Sequence, residues 1–247
     1  MDLLIDIGNT RIKWAYAQVG QLAAHGDAER GESIPALAAR DWLAQPAPTR
    51  VIVANVAGKA YAEALTEWTA GHWQQSVEFL QVEPGHGLAL AYPEPERLGV
   101  DRWLAMLAAQ RLSTDAVAVI DAGTAMSVDV ITAQGQHLGG IITPGLTLMA
   151  DSLQQKSSGI QQGLQGMAAD KPRLFGNDTL SCIEQGALFA VTGAIEHLLA
   201  RIEQQTPTAL SVIISGGDAL RVMTELQRDC RHIPDLVLQG MQIIKGS

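Results

Sequence analysis

A short pattern that occurs twice sets the architecture of this chain. Leu4-Ile5-Asp6-Ile7-Gly8-Asn9-Thr10 and Val119-Ile120-Asp121-Ala122-Gly123-Thr124-Ala125 each run from apolar residues to a carboxylate, then to a glycine followed by a hydroxyl or amide side chain. After each comes a segment with the period-two alternation of a strand, Arg11 to Ala17 in the first copy and 125–131 in the second. A turn ends each copy, at Gln18-Val19-Gly20-Gln21 and at Ala133-Gln134-Gly135-Gln136. Asp6 precedes Gly20 by 14 positions and Asp121 precedes Gly135 by 14 (20 − 6 and 135 − 121). A shared spacing of motif and turn indicates duplication, and so a cleft built from two related halves. The glycine lets backbone N–H groups come close to a phosphate, and the neighbouring side chain adds a donor. A carboxylate beside a phosphate makes sense when a cation sits between them.

The remaining segments alternate in kind. In the first half, 34–43 and 59–69 read as helices and 50–56 and 77–82 as strands. In the second, 139–143 and 210–215 read as strands, 146–155, 179–205 and 218–228 as helices, and 235–239 as a final strand. This predicts an α/β protein of two domains, 1–114 and 115–247, each a mixed sheet flanked by helices. Lys156 to Asp178 carries Gly159, Gly163 and Gly166 among glutamines without an apolar period. It reads either as a flap over the cleft or as a disordered excursion. Hydrophobic residues are 47% of the 247 and charged residues 17%, which excludes a disordered or fibrous chain. A net charge of −9 argues against a nucleic-acid partner, which would need a basic face. No apolar run reaches the ~18 residues that cross a bilayer. No basic stretch precedes the first strand, as a signal peptide would require, and Cys182 and Cys230 show no motif spacing. A cytoplasmic protein without a membrane partner is expected.

Between the halves, Tyr92-Pro93-Glu94-Pro95-Glu96-Arg97-Leu98 is extended by its prolines. Apolar residues then recur at 100, 103, 104, 107 and 108, placing Gly99-Val100-Asp101-Arg102 at a helix N-terminus. There the helix dipole favours an ionised Asp101 and nearby N–H groups can take an anion. Asp101 as a helix cap, and Arg102 as a solvated partner of Glu96, explain the same residues. Gly216-Gly217-Asp218 between a strand and a helix permits close approach of a flat or charged group, or is an ordinary turn with Asp218 as N-cap. Gly139 to Gly145 is a strand bracketed by turn residues, open to close packing or to a tight connection. Lys13 is a solvated strand lysine or a phosphate ligand. Thr179 is the cap of the long helix or a hydroxyl aimed at a ligand. The six histidines have no metal-ligand spacing, and no Walker loop, Gly-x-Ser-x-Gly elbow or GxGxxG fingerprint is present.

In order, these motifs resemble those of the type III pantothenate kinases, within the acetate and sugar kinase, Hsp70 and actin superfamily. Asp6 to Thr10 resembles the first phosphate motif and Asp121 to Ala125 the second. Gly99 to Arg102 resembles the pantothenate motif, Gly139 to Gly145 the dimer-interface motif and Gly216 to Asp218 the adenosine motif. The resemblance implies two tandem ribonuclease-H-like domains, a homodimer, and ATP-dependent phosphorylation of the primary hydroxyl of pantothenate, the first step of coenzyme A synthesis. It implies Asp101 as general base and Asp6 as the residue placing Mg²⁺ and the γ-phosphate. Gly8, Asn9, Thr10, Lys13, Thr124, Gly216 and Gly217 would lie on ATP. Asp121 would bind K⁺ or NH₄⁺, and Tyr92, Gly99, Val100, Arg102 and Thr179 would hold pantothenate. Another small-molecule kinase of the superfamily, or a nucleotide-gated regulatory protein, is the alternative.

Overall fold

The computed structural model describes residues 1–18, 20–156, 174–205 and 209–245. Most of the expected 156–178 loop, residues 157–173, lies outside the described residues. The chain divides into two compact units, and two later segments return to the first: residues 1–114 are joined there by 134–139 and 235–245. The second unit comprises the described residues of 115–133 and 140–234.

In the first unit, β1 (Asp2–Ile7), β2 (Arg11–Gln18), β3 (Gln21–Glu29), β4 (Val51–Asn55) and β5 (Val77–Phe79) form one sheet in the order β3-β2-β1-β4-β5. The β1–β2 and β2–β3 pairs are antiparallel, and β1–β4 and β4–β5 are parallel. In the second sheet, β6 (Ala116–Ala122), β7 (Ala125–Ile131), β8 (His137–Pro144), β9 (Leu210–Ser215) and β10 (Arg231–His232) lie in the order β10-β9-β6-β7-β8. Read from the other edge this is 8-7-6-9-10, the arrangement 3-2-1-4-5 with every strand replaced by its counterpart. The duplicated spacing in the sequence is thus a duplicated topology.

The helices are α1 (Ile34–Leu37), α2 (Lys59–Trp73), α3 (Val100–Leu112), α4 (Leu146–Lys156), α5 (Thr179–Gln205), α6 (Ala219–Met223) and α7 (Leu236–Lys245). The expected helix over 34–43 runs from α1 into a wider turn at Ala38–Trp42, closed by Leu43 N–H donating to the Ala38 carbonyl. The expected helix over 218–228 is the five-residue α6, after which Arg228 ties the following loop to α5 through Glu196 and Glu203.

One strand was not expected, and one element differs in kind from the sequence expectation. Residues 21–29, which follow the expected turn at 18–21, form β3. Its residues are mostly small, polar and exposed, so no apolar alternation marked it. Residues 235–239, expected as a strand, begin α7, where Gln239 N–H bonds the Asp235 carbonyl. The run Leu236-Val237-Leu238 has no period of its own, and a short apolar run does not separate strand from buried helix. The true last strand is β10, two residues ending just before Ile233 and Pro234.

Helix α7 packs on α3 at Gly240, where a Cβ would stand 2.1 Å from the Leu104 carbonyl oxygen. Such an approach excludes every other residue type. The core of the first unit is rich in indoles: Trp42 is fully buried, with Trp14, Trp68 and Trp73 around it at centroid distances of 6.1, 5.8 and 6.2 Å. The second core joins the inner faces of β6, β7 and β9 to Leu188, Val191, Ile195 and Leu199 of α5.

Candidate functional site

The first unit carries two groups of the expected residues. Asp6 ends β1, half-buried, directly across from Lys13 on β2, and Lys13 in turn faces Asp27 on β3. One strand register therefore sets a lysine between two carboxylates. The chain then turns tightly: Gly8 N–H donates to the Arg11 carbonyl at 3.0 Å, and a Cβ on Gly8 would be 3.1 Å from that oxygen. Asn9 and Thr10 are exposed at the tip, which Arg30 N–H fixes to the end of β3 by donating to the Thr10 carbonyl at 2.8 Å. Backbone amides and a hydroxyl at an exposed turn, with a carboxylate and an ammonium behind them, suit a phosphate carried with a metal ion. Among the described residues no three His, Cys, Asp or Glu side chains form a metal cage. Mg²⁺ commonly takes one or two carboxylates and completes its shell from phosphates and water, and Asp6 fits that mode.

The second group opens α3. Gly99 is the N-cap residue and offers no side chain, so Asp101 is not the cap. Instead Asp101 lies in the first turn, half-buried, with Oδ1 accepting from the Arg102 N–H at 2.8 Å. A Cβ on Gly99 would approach that same oxygen at 2.5 Å, so the glycine leaves room for the carboxylate. Arg102 donates through NH1 to the Tyr92 hydroxyl at 3.1 Å, with its guanidinium 5.9 Å from the Tyr92 ring centroid. This contact runs to Tyr92 rather than along the expected line to Glu96. Val100 is 8% exposed, so what it can offer a ligand is its backbone. A carboxylate and a held guanidinium on adjacent residues of a helix N-terminus can bind an acid and take a proton from an alcohol.

In the second unit Asp121 occupies the place that Asp6 has in the first, but its neighbours in register are Ser127 on β7 and Ser215 on β9. Two glycines close around it. A Cβ on Gly216, at φ +97°, would lie 2.6 Å from Asp121 Oδ1 and 2.4 Å from the Ala122 carbonyl oxygen. The same Ala122 carbonyl accepts from Asp218 N–H at 2.9 Å. A Cβ on Gly145 would lie 2.0 Å from the Gly123 carbonyl oxygen, and Gly145 N–H donates to the Thr124 carbonyl at 2.9 Å. The turn that carries exposed Thr124 is therefore packed against two other loops, and Gly217 is exposed beside it. A carboxylate with serines in register on both neighbouring strands offers oxygen donors, the ligand type a hard cation takes. Asp218 makes no side-chain cap for α6, and burial pushes its carboxyl up, with Arg221 pulling the other way.

Thr179, expected as a cap or a ligand, is not the cap. Asp178 accepts from Ser181 N–H through Oδ1 at 2.9 Å, while Ser181 Oγ accepts from Asp178 N–H at 3.2 Å. This reciprocal box satisfies the start of α5, so the exposed Thr179 hydroxyl is not needed for capping. Ser181 was the signal, three residues after Asp178 rather than after Thr179.

One further residue in this region carries no signal in the sequence pattern. His137, the first residue of β8, is 1% exposed and lies with its ring parallel to that of Tyr92, at 9° and 6.2 Å between centroids. Its place directly after the duplicated turn was visible, but its contact with Tyr92 was not.

A profile described as type III pantothenate kinase matches residues 2–201. A type III pantothenate kinase from Nitrosococcus oceani is 37% identical over 248 residues, covering 98% of this chain and 92% of that protein. One from Azoarcus sp. is 35% identical over 256 residues, covering 100% and 91%. The solved structure of component A of the Acidaminococcus fermentans (R)-2-hydroxyglutaryl-CoA dehydratase is similar in fold, with a TM-score of 0.53 at 15% identity over 98% of this chain and 95% of that one.

Proposed function

The chain belongs to the type III pantothenate kinases, with the two tandem ribonuclease-H-like domains of the actin-like superfamily, and from this premise we propose how its residues share the reaction. The reaction is transfer of the γ-phosphoryl group of ATP to the primary hydroxyl of pantothenate, in coenzyme A biosynthesis. The hydroxyl oxygen bonds to the γ-phosphorus, the bond from that phosphorus to the bridging oxygen of ADP breaks, and the hydroxyl proton leaves to a base. The transition state is loose, so positioning and charge neutralisation do most of the work.

Asp101 is the base in this reading. The observation that carries it is the half-buried Asp101 carboxylate in the first turn of α3, held by the Arg102 backbone N–H, with the next residue's guanidinium fixed on Tyr92. A carboxylate with a pKa near ~4 is a weak base, yet it orients the alcohol and takes its proton late. Arg102 grips the pantothenate carboxylate, flanked by Tyr92 and the backbone at Gly99 and Val100, and the Thr179 hydroxyl adds a donor. Gly8, Asn9, Thr10, Lys13 and Thr124 meet the ATP phosphates, and Gly216 and Gly217 border the adenosine, with open space beside Gly217. Mg²⁺ on Asp6 would neutralise the transferring phosphate, and K⁺ or NH₄⁺ on Asp121 the charge that this carboxylate brings.

A second copy of the chain completes the proposal. Strand β8 is the outermost of its sheet and exposes Leu138 and Ile142 (49% and 62%), with Leu148 and Leu153 exposed on the α4 that follows. An apolar edge exposed among the described residues suits a homodimer, which light scattering tests. The functional division we retain is 1–114 and 115–247, one repeat each, with α7 as a return of the chain to the first unit. We place the reaction in the cytoplasm. The free thiols of Cys182 and Cys230 support that, and no described helix is long and apolar enough to cross a membrane.

The test is Asp101→Asn in a coupled ADP-release assay. Pantothenate binding persists by calorimetry while turnover falls at least ~100-fold, the scale of a lost general base. Retained turnover would remove Asp101 from that role.

A further inference from the structure

The segment that carries Tyr92 is clamped by the turn at the end of the second repeat's hairpin. Ala89 N–H donates to the Gly135 carbonyl at 2.9 Å, and His137 N–H donates back to the Ala89 carbonyl at 2.8 Å. The approach is so close that a Cβ on Gly135, at φ +82°, would lie 2.0 Å from the Gly87 carbonyl oxygen. Gly85 and Gly87 take positive φ (112° and 87°) freely, and His86 between them, at 53°, is the residue there that a left-handed conformation costs. Gln110 of α3 secures it from the other side, donating to the Gly87 carbonyl at 2.9 Å. The clamp ends in the buried His137 ring lying parallel to Tyr92. Tyr92 then accepts the hydrogen bond from Arg102.

We infer that His137 is a positioning residue for pantothenate: its ring is the wall that fixes Tyr92, and Tyr92 fixes the plane of the Arg102 guanidinium. The inference rests on the reading of Tyr92 and Arg102 as pantothenate ligands. A guanidinium binds a carboxylate through a planar fork, so its orientation decides whether two parallel bonds form or one. Tyr92 holds that guanidinium through its hydroxyl, with the ring centroid 5.9 Å from the guanidinium carbon. Tyr92 itself leads into Pro93, in a stretch of bends without helix or strand bonds of its own, before a single 3-10 turn at Pro95–Arg97. Its order therefore depends on what packs against the ring.

The experiment compares His137→Phe, His137→Asn and His137→Ala with Tyr92→Ala and Arg102→Ala, measuring KM for pantothenate and for ATP separately. His137→Asn and His137→Ala raise the pantothenate KM about 3- to 10-fold, the scale of one aromatic pair, with kcat and the ATP KM within about 2-fold of the parent. His137→Phe, which keeps the ring, stays near the parent value, and the comparison of Phe with Asn stands even where the alanine variant does not fold. The inference is overturned if Phe and Asn behave alike, or if pantothenate and ATP KM rise together as general damage would make them. It is also overturned, with the ligand reading intact, if the His137 variants leave the pantothenate KM unchanged while Tyr92→Ala and Arg102→Ala raise it. If those two leave it unchanged, the ligand reading and the inference both fail.

Discussion

The two copies of the phosphate turn have the same strands and the same spacing, and they differ in what surrounds the carboxylate. Asp6 faces Lys13 across the ladder, whereas Asp121 faces Ser127 and Ser215. The first turn is exposed at its tip and held by one amide from Arg30. The second is enclosed by Gly145 and Gly216, each too close to its carbonyls for any side chain. Duplication supplied the geometry of a carboxylate at the end of a strand before a glycine turn. The positions facing the carboxylate in register differ between the copies, a lysine in the first and two serines in the second. An anion beside phosphate needs compensation. In the proposed division of roles the second turn would bind a monovalent cation, and the first turn, with a lysine in register, would meet the phosphate being transferred.

The largest expected effect tests that difference. Exchange of potassium for sodium or Tris should lower the wild-type rate by about 100-fold or more, on the scale of a lost transition-state charge partner, and potassium should restore it. Asp121→Asn should be slow and unresponsive to the cation. Asp6→Asn should lose about 100-fold or more whichever monovalent cation is present, because its defect lies at the transferring phosphate. A wild-type rate indifferent to the cation would end the assignment to Asp121. A cation response lost in Asp6→Asn and kept in Asp121→Asn would reverse the roles of the two turns.

The similarity of the copies was legible in the sequence, and their difference only partly so. Motif, partner strand and turn are local, and the strands of both hairpins lie within a residue of their expected ends. The counterparts β3 and β8 show the limit. Strand β8 has isoleucines between glycines and was expected, while β3 has the composition of a loop and is held by its ladder to β2. Trp14 stacks over Gly26 in that pair, where a Cβ would meet the indole at 2.5 Å, so the glycine that weakens the strand signal is the residue the packing requires. Helix α7 was misread because its apolar run is short and its partner, Leu104 on α3, is distant in sequence. In the site, types and order were readable, but caps and contacts were not. Whether Asp178 or Thr179 caps α5, and which ring stands against Tyr92, depend on side-chain geometry that spacing does not encode.

The two hairpin turns offer the next contrast. Gly20 and Gly135 end equivalent hairpins with similar φ, +76° and +82°, yet a Cβ on Gly20 would meet nothing within 4 Å whereas one on Gly135 would meet Gly87 backbone and Gln110. Gly20→Ala should therefore cost about 1 kcal/mol, the strain of an alanine at positive φ alone. Gly135→Ala should cost about 3 kcal/mol or more, because backbone must also move, and it should raise the pantothenate KM through the displaced Tyr92 segment. Denaturant titration of both variants checks the ordering. Equal costs would mean that the second turn is not the clamp its contacts describe.

The smallest expected effect concerns the ion pairs that close each unit. In the first, Lys245 at the end of α7 pairs with buried Asp2, whose Oδ1 also accepts from Thr49 Oγ1 at 2.6 Å. Burial pushes the Asp2 carboxyl up, and the hydrogen bonds from Lys245 and Thr49 more than reverse this, leaving it below its ordinary value. In the second, burial pushes Glu196 up, and Arg228 with the Gln227 N–H more than offsets it. A carboxyl depressed in the folded state adds stability above its unfolded pKa and loses it as pH falls through the folded one. Lys245→Ala and Arg228→Ala should thus each cost about 1–2 kcal/mol near neutral pH, less than a fully buried pair because both cations are partly exposed. The deficit should shrink as pH falls below about 4, at slightly higher pH for the glutamate pair than for the aspartate pair. Unfolding midpoints of both variants and the parent from pH 7 to 3 measure this. A Lys245→Ala deficit that is constant with pH would show that α7 is held by its packing at Gly240 and Leu104, with the ion pair adding nothing.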